Sequence, residues 1–185
     1  MLEHSKVSDG KRHTVDIIAL CQQYAQLSYK SIIAKDQSFE CDIVFRHEID
    51  SIQMEVISED IGRVFQNIFV NAFYAMGEKL KQEKASDNAY QPKITVSIHK
   101  LLKPGESAES IEIRIRDNGT GIPDTVKAKI FQPFFTTKPT GNYTGLGLSI
   151  SYDIVTKGHS GTFMVETELG EGTEMIIQLP ITNSL

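Results

Sequence analysis

The chain holds only two cysteines, Cys21 and Cys41, too few and too far apart for a disulfide framework or a zinc knuckle. A single bridge between them is compatible with the sequence, but a reducing, cytoplasmic compartment fits better. Positive charge is also scarce: 19 Lys and Arg against 24 Asp and Glu leave a formal net charge of −5. The longest basic cluster is Gly10-Lys11-Arg12-His13, so the basic face of a duplex-binding domain is missing and nucleic acid is not expected as a partner. No apolar run approaches the roughly eighteen residues of a spanning helix, and Met1-Leu2-Glu3-His4-Ser5-Lys6 lacks the apolar stretch of a signal peptide. The chain as given is expected to be neither inserted nor secreted, which leaves the glycosylation pattern Asn142-Tyr143-Thr144 without a use. Three familiar catalytic signatures are absent as well: a Gly-x4-Gly-Lys-Ser/Thr phosphate loop, a His-Glu-x-x-His pair and a Gly-x-Ser-x-Gly elbow.

What is present suits one soluble domain, since 185 residues with 40% hydrophobic content allow a single core. Asp16 can cap a helix from about Asp16 to Ala34, with Ile17, Leu20, Tyr24, Leu27 and Ile32 on one face. Alternation at Cys41, Ile43 and Phe45, then Met54-Glu55-Val56, predicts two short strands. Ser58, Glu59 and Asp60 place a cap and two acids ahead of a helix from about Glu59 to Glu83. Its predicted buried stripe is Ile61, Val64, Phe65, Ile68, Ala72, Ala75 and Met76. Ile94, Val96 and Ile98 and then Ile111, Ile113 and Ile115 predict two antiparallel strands joined by a loop around Pro104-Gly105-Glu106-Ser107. An irregular stretch from about Gln132 to Gly145 is long enough to be functional or mobile. A helix from about Leu146 to Lys157 follows, then strands near Thr162–Glu168 and Glu174–Leu179 around the turn Gly170-Glu171-Gly172-Thr173. Helices mixed with hairpin strands predict a layered α+β sandwich.

Four polar clusters stand in a fixed order along this frame. Asn67-Ile68-Phe69-Val70-Asn71 sets two amides four residues apart on one helix face, each able to meet a cation, a phosphate or a water. Asp117-Asn118-Gly119-Thr120-Gly121-Ile122-Pro123 delivers a carboxylate at a strand end into a turn whose glycines permit close approach. Phe131-Gln132-Pro133-Phe134-Phe135-Thr136-Thr137-Lys138 joins an aromatic anchor to a phosphate-seeking ammonium. Gly145-Leu146-Gly147-Leu148 opens a helix whose unpaired N–H groups suit an anion. It is not a dinucleotide fingerprint, because Ile150 stands where the third glycine belongs and no strand precedes it.

In this order and spacing, the clusters resemble the catalytic ATP-binding domain of sensor histidine kinases, in the gyrase, heat-shock chaperone, histidine kinase and mismatch-repair ATPase superfamily. The resemblance runs from about Asp16 to Pro180: Asn67 and Asn71 match the N-box, Asp117, Gly119 and Gly121 the first glycine box, Phe131 to Phe135 the F-box, and Gly145 to Leu148 the second glycine box. Gly170-Glu171-Gly172-Thr173 looks like the last glycine motif. The resemblance implies a two-layer sandwich, a mixed, mostly antiparallel sheet on three helices, with ATP held under a mobile lid. It implies that Asp117 accepts the adenine amine and that Asn71 coordinates Mg²⁺ bridging the phosphates. Asn67 would hold the phosphates or the metal's water shell, and Thr137 and Lys138 would lie near the terminal phosphates, Asn67 and Lys138 serving catalysis. Gly145 and Gly147 would let the lid end wrap the phosphates, Thr173 would support the adenine pocket, and Gly119, Gly121, Ile122, Phe134, Leu146 and Leu148 would complete the nucleotide-contacting set.

The implied reaction moves the γ-phosphoryl of ATP to a histidine on a separate dimerisation hairpin, and from there to an aspartate of a response-regulator receiver domain. Such chemistry needs positioning and charge stabilisation more than a reactive side chain. Superfamily members that hydrolyse ATP carry a Glu where this chain has Asn67, and an amide cannot act as a general base. Two residues depart from the family pattern: Tyr143 stands in the lid where similar sequences often have glycine, and Tyr74 where many such kinases place a basic residue. No acceptor histidine is expected in the chain. His47-Glu48 ends a predicted strand, His99 reads as a strand surface residue, and His159 as the close of a helix. Residues 1–15 then read as the tail of a preceding dimerisation helix with its linker, and residues 16–185 as the catalytic domain. The parent would be a homodimer that can carry membrane segments elsewhere, while the isolated domain would be monomeric. The alternatives are a superfamily ATPase or serine kinase, and a nucleotide-binding regulatory module without phosphotransfer.

Overall fold

A computed structural model describes residues 10–83, 90–101, 109–139 and 144–181. The chain runs β1 (His13–Asp16), α1 (Ile17–Ile33), β2 (Asp42–His47), β3 (Gln53–Val56), α2 (Ser58–Glu83), β4 (Lys93–Leu101), β5 (Ser110–Asp117), the single turn α3 (Asp124–Lys127), α4 (Gly147–Asp153), β6 (Thr162–Glu168) and β7 (Gly172–Pro180). A π-helical turn, Ile154–Gly158, extends α4. Five strands form one sheet in the order β2-β4-β5-β7-β6. Only β2 and β4 run parallel, so the sheet is mixed and mostly antiparallel, as expected of an α+β sandwich. The β6–β7 hairpin turns through Leu169, Gly170 and Glu171, where the sequence places it.

Alternation explains the layering. Ile94, Val96 and Ile98 of β4, Ile111, Ile113 and Ile115 of β5, and Met175, Ile177 and Leu179 of β7 are all buried in one core with the helices. Asp16 caps α1 by accepting from the Ile18 N–H at 3.0 Å, and the same oxygen reaches the Ile52 N–H at 3.3 Å. One carboxylate thereby starts the helix and pins the approach to β3. The buried face of α1 is Ile17, Ile18, Cys21, Ala25 and Ser28. Leu27 lies half exposed at 50%, because its neighbour Ser28 takes the inward position and one residue is about 100° of helix.

The helix α2 begins one residue before its expected start. The Ile57 carbonyl accepts from the Ile61 N–H at 3.1 Å, while the Ser58 hydroxyl donates to the Glu59 carboxylate instead of capping. Its buried face is wider than the expected stripe and includes Phe69 and Phe73. Phe73 meets Tyr29, Phe39 and Phe69 at ring-centroid distances of 5.7, 6.0 and 6.5 Å, binding α1, the segment before β2 and its own helix into one aromatic cluster. Full burial of each such ring contributes about 1.5–3 kcal/mol. Ala75, expected in the core, is half-buried and faces a cleft instead.

The segment expected as a linker ahead of residue 16 is part of the fold where it is described. β1 pairs antiparallel with β3, His13 opposite Val56 and Asp16 opposite Gln53, and the Arg12 guanidinium donates to the carbonyls of Glu55 and Gly158 at 3.2 and 2.7 Å. The four residues have little apolar content of their own; the partner strand makes them a strand. The expected helix tail at residues 1–9 lies outside the described residues, as do residues 84–89 and 102–108, where loops were expected, and residues 140–143, which include Tyr143.

His159 does close the α4 region, and is buried. Its Nδ1–H donates to the Ile154 carbonyl at 2.9 Å while Nε2 accepts from the Ile57 N–H at 3.2 Å. Those two partners define a neutral ring, and burial holds its pKa below the usual histidine value. His47 ends β2 with Nδ1 against the Ile49 carbonyl. Both cysteines are free thiols, their pKa values pushed up by burial.

Candidate active site

A cleft of about 340 Å³ opens between α2, the adjoining ends of β5 and β7, and the loop that leads into α4. One wall is the face of α2 turned away from the phenylalanines. There Asn67, Asn71 and Ala75 follow one another at four-residue steps, so each projects into the same space.

The closed end of the cleft is built on the β5–β7 register, which sets Asp117 opposite Thr173. Both are buried, at 6% and 4% exposure. Burial raises the Asp117 pKa to about 6, against the opposing pull of the Gly119 and Thr173 backbone N–H groups and the charges of Lys79 and Arg116. The Gly119 N–H donates to Asp117 Oδ1 at 2.8 Å, so Gly119 serves by its backbone and does not line the cleft. Gly121 does line it. Its φ is +68°, and any Cβ there would collide with the Glu168 carbonyl, so only glycine permits this turn. The next N–H, of Ile122, donates to Thr167 Oγ1 at 2.9 Å, and Thr167 in turn donates to the Gly172 carbonyl at 2.9 Å and lies 3.1 Å from the Thr173 hydroxyl. Lys79 ties the far half of α2 to the same corner through the carbonyls of Asn118 and Gly170, at 3.1 and 2.7 Å.

The other end is cationic. Lys138 Nζ donates to Asn71 Oδ1 at 2.6 Å and sits 4.5 Å from the centroid of the Tyr74 ring; burial lowers its pKa to about 8. Asn67 turns its amide nitrogen away from the cleft, donating to the Gly147 carbonyl at 2.9 Å and to Ser151 Oγ at 3.0 Å. A carbonyl can only accept, so this orientation is fixed by chemistry. Asn67 is thereby left with an acceptor oxygen and no spare donor for a phosphate. Ser151 is fully buried and donates to the same carbonyl.

Of the residues singled out in the sequence, Asn67, Asn71, Asp117, Gly121, Ile122, Thr137, Lys138, Gly145, Gly147, Leu148 and Thr173 line this one cleft. Leu146 does not: it contributes the carbonyl that receives the Ile150 N–H at the start of α4. Phe134 is also outside, 76% exposed with φ +64°, and Phe135 takes the inward place. Gly145, itself at φ +67°, packs directly on the Phe134 backbone, where a Cβ would collide. Phe131 anchors the start of the loop, 5.1 Å from both Tyr152 and Phe163. Thr167, Lys79 and Ser151 were not legible as site residues, because each is tied to the cleft by a hydrogen bond made across 39 to 91 positions of chain.

A half-apolar slot with a buried acceptor at one end and an ammonium beside an amide oxygen at the other matches a flat amine-bearing ring joined to an anionic tail. That defines a nucleotide-binding α+β sandwich. Residues 57–183 match the family described as histidine kinase-, DNA gyrase B-, and HSP90-like ATPase, and the chain belongs to that family. It is 38% identical over 133 residues to the sensor kinase CckA of Brucella abortus, covering 67% of this chain and 13% of that protein. To the sensor protein kinase WalK of Staphylococcus haemolyticus it is 34% identical over 157 residues, covering 80% of this chain and 23% of that one. The chain therefore spans less than a quarter of the length of these relatives. The catalytic domain of the histidine kinase ThkA, in a nucleotide-free form, superposes with a TM-score of 0.71 at 27% identity, over 93% of this chain and 97% of that one. The domain is thus an ATP-binding catalytic domain of the histidine-kinase type. Among the described residues no helix is long and apolar enough to cross a membrane.

Proposed function

We propose that this domain binds Mg²⁺–ATP in the cleft and passes the γ-phosphoryl group to a histidine on the dimerisation helices of a homodimeric parent, which hands it on to a response-regulator aspartate. Residues 1–15 would lead from those helices into the catalytic domain at 16–185, their last three residues already paired with β3, the isolated domain would be monomeric, and the site would face the cytoplasm. The observation that carries the reading is the polarity of one cleft: the buried Asp117 carboxylate at its closed end, and the Lys138–Asn71 pair, 2.6 Å apart, at its open end.

The residues divide the work accordingly. Asp117 accepts the adenine amine, with Gly119 N–H fixing the carboxylate and Thr173 and Ile122 closing the slot. Asn71 Oδ1, which accepts from Lys138 in the nucleotide-free domain, is a neutral oxygen suited to a hard cation once the ammonium turns to the phosphates, and such a cation keeps most of its ligands as phosphate and water. Among the described residues no cluster of three or more His, Cys, Asp or Glu side chains exists that could hold a metal alone, which fits a metal arriving with its nucleotide. Bound there, Mg²⁺ would neutralise phosphate charge. Thr137, Lys138, Gly145, Gly147 and Leu148 surround the phosphate end. A neutral imidazole attacks the γ-phosphorus with its lone pair as the bond to the ADP oxygen breaks. No general base on this domain is required, and Asn67, its N–H groups committed to Gly147 and Ser151, provides none.

Calorimetric titration with ADP and a nonhydrolysable ATP analogue, with and without Mg²⁺, tests the site. One-site binding is expected, lost in Asp117→Ala and with weakened metal dependence in Asn71→Ala. Transfer of label from γ-phosphate to a supplied dimerisation hairpin tests the reaction. Steady phosphate release at the rate of a dedicated ATPase would replace the kinase reading, and binding without transfer to the native hairpin would leave a regulatory module.

A further inference from the structure

Tyr74 lies three residues past Asn71 on α2, half-buried in the wall of the cleft, at a place where a charged side chain could have met the phosphates directly. It carries no charge. The cation found there comes from the other side: Lys138, on the loop between Phe131 and Gly145, reaches across so that its Nζ stands 4.5 Å from the Tyr74 ring centroid and 2.6 Å from Asn71 Oδ1. A ring face within about 6 Å attracts an ammonium through its quadrupole, more strongly where water is partly excluded. A lysine side chain released from such a seat regains rotamer freedom, and its charge no longer has a fixed place.

We propose that Tyr74 is a positioning residue for Lys138: its ring seats the loop lysine at Asn71 Oδ1, so that the charge meeting the nucleotide phosphates is delivered by the loop instead of by α2. The proposal rests on the nucleotide reading of the cleft. The seat is assigned to the aromatic face, 4.5 Å from Lys138 Nζ at its centroid. A phenylalanine therefore substitutes for Tyr74, whereas a leucine, equally able to fill the space with apolar surface, does not. Tyr74 touches no reacting atom in this arrangement; it acts only through Lys138.

The experiment compares wild type, Tyr74→Phe, Tyr74→Leu, Lys138→Met and the Tyr74→Leu/Lys138→Met double variant, each checked for folding by its amide NMR spectrum. Binding of the β,γ-imido analogue of ATP in Mg²⁺ is read by calorimetry. Tyr74→Phe is expected to stay within about twofold of wild type and Tyr74→Leu to bind about fivefold more weakly. The double variant is expected to bind no more weakly than Lys138→Met, because the ring has nothing left to position. In the nucleotide-free domain, the Lys138 ε-methylene resonance should be shifted upfield by the ring current in wild type and Tyr74→Phe, and should lose that shift in Tyr74→Leu. Leucine binding as well as phenylalanine, phenylalanine binding as poorly as leucine, additive losses in the double variant, or no ring-current shift would each overturn the seat. Failure of the wild-type domain to bind the analogue would instead remove the nucleotide reading, and the role of the seat with it.

Discussion

Acidification should weaken nucleotide binding through Asp117 well before ordinary carboxylates titrate. With the Asp117 pKa raised to about 6 by burial, the accepting carboxylate is nearly complete at pH 8. At pH 5 it falls to about one part in eleven, so apparent affinity drops about tenfold, about 1.4 kcal/mol. Because the adenine amine favours the ionised form, binding near pH 5 should release close to one proton from Asp117. Calorimetry in buffers of different ionisation heat measures that proton directly, once the ligand's own phosphate titration, followed separately by ³¹P NMR, has been subtracted. A ¹³C titration of the free domain should place the Asp117 carboxyl midpoint near 6, and Asp117→Asn should show weak binding that no longer falls on acidification and rises at most about twofold from pH 8 to pH 5 as Lys138, its pKa lowered to about 8, gains its full charge. Affinity that stays flat from pH 5 to pH 8 after the phosphate correction would refute the assignment of Asp117 as the ionised acceptor.

Other consequences concern the scaffold. Phe73→Ala should cost about 3–5 kcal/mol in denaturant unfolding, since the ring is buried between Tyr29, Phe39 and Phe69; a loss under about 1 kcal/mol would show that the cluster repacks. Ser28→Ala should stabilise the fold by about 1 kcal/mol, because the Ser28 hydroxyl is buried with no hydrogen-bond partner among the described residues. His159 should make stability fall as pH is lowered. Its folded pKa lies below the ordinary histidine value, so the unfolded chain takes the proton first as pH drops through about 6.5, and the contribution is fully present only above that pH. Arg12 disfavours and Asp60 favours the charged ring. Asp117 has the opposite slope, because its folded form binds the proton first as pH falls through about 6. The histidine slope is therefore best read in an Asp117→Asn background, where His159→Gln should flatten it; a slope that survives His159→Gln has another origin.

The long helices and the central strands were legible because each carries its own period: Ile17, Leu20 and Tyr24 along α1, although Cys21 and Ala25 beside them prove the more deeply buried, and Ile111, Ile113 and Ile115 along β5. Where the sequence misled, tertiary context decided. α2 is enclosed by α1 on one side and the sheet on another, so its apolar face is wide enough to include Phe69 and Phe73, which a single three-to-four-residue stripe omits. β1 exists through its pairing with β3, some forty residues on, and four residues with one aliphatic side chain do not announce that. Order and spacing of the polar clusters sufficed to gather most of the cleft, since Asn67 and Asn71 share one face of α2, Asp117 ends β5 and Gly147 opens α4. Phe134 points outward while Phe135 lines the cleft, a choice that neighbouring aromatics in a loop, obeying no period, do not announce. Asn67 was placed correctly in the cleft, but the direction of its amide depended on Gly147 and Ser151, eighty positions away.

The two-faced construction of α2 makes this helix unforgiving of changes in length. One extra residue between Asn67 and Asn71 would rotate everything beyond it by about 100°, swinging Asn71 off the cleft, drawing Phe73 out of the aromatic cluster and detaching Lys79 from the carbonyls it holds. Point replacements along α2 can be absorbed one at a time, but an insertion or deletion would strike the core, the ligand wall and the corner beneath Asp117 at once. Length variation should therefore collect in the connections on either side of this helix and leave its register untouched.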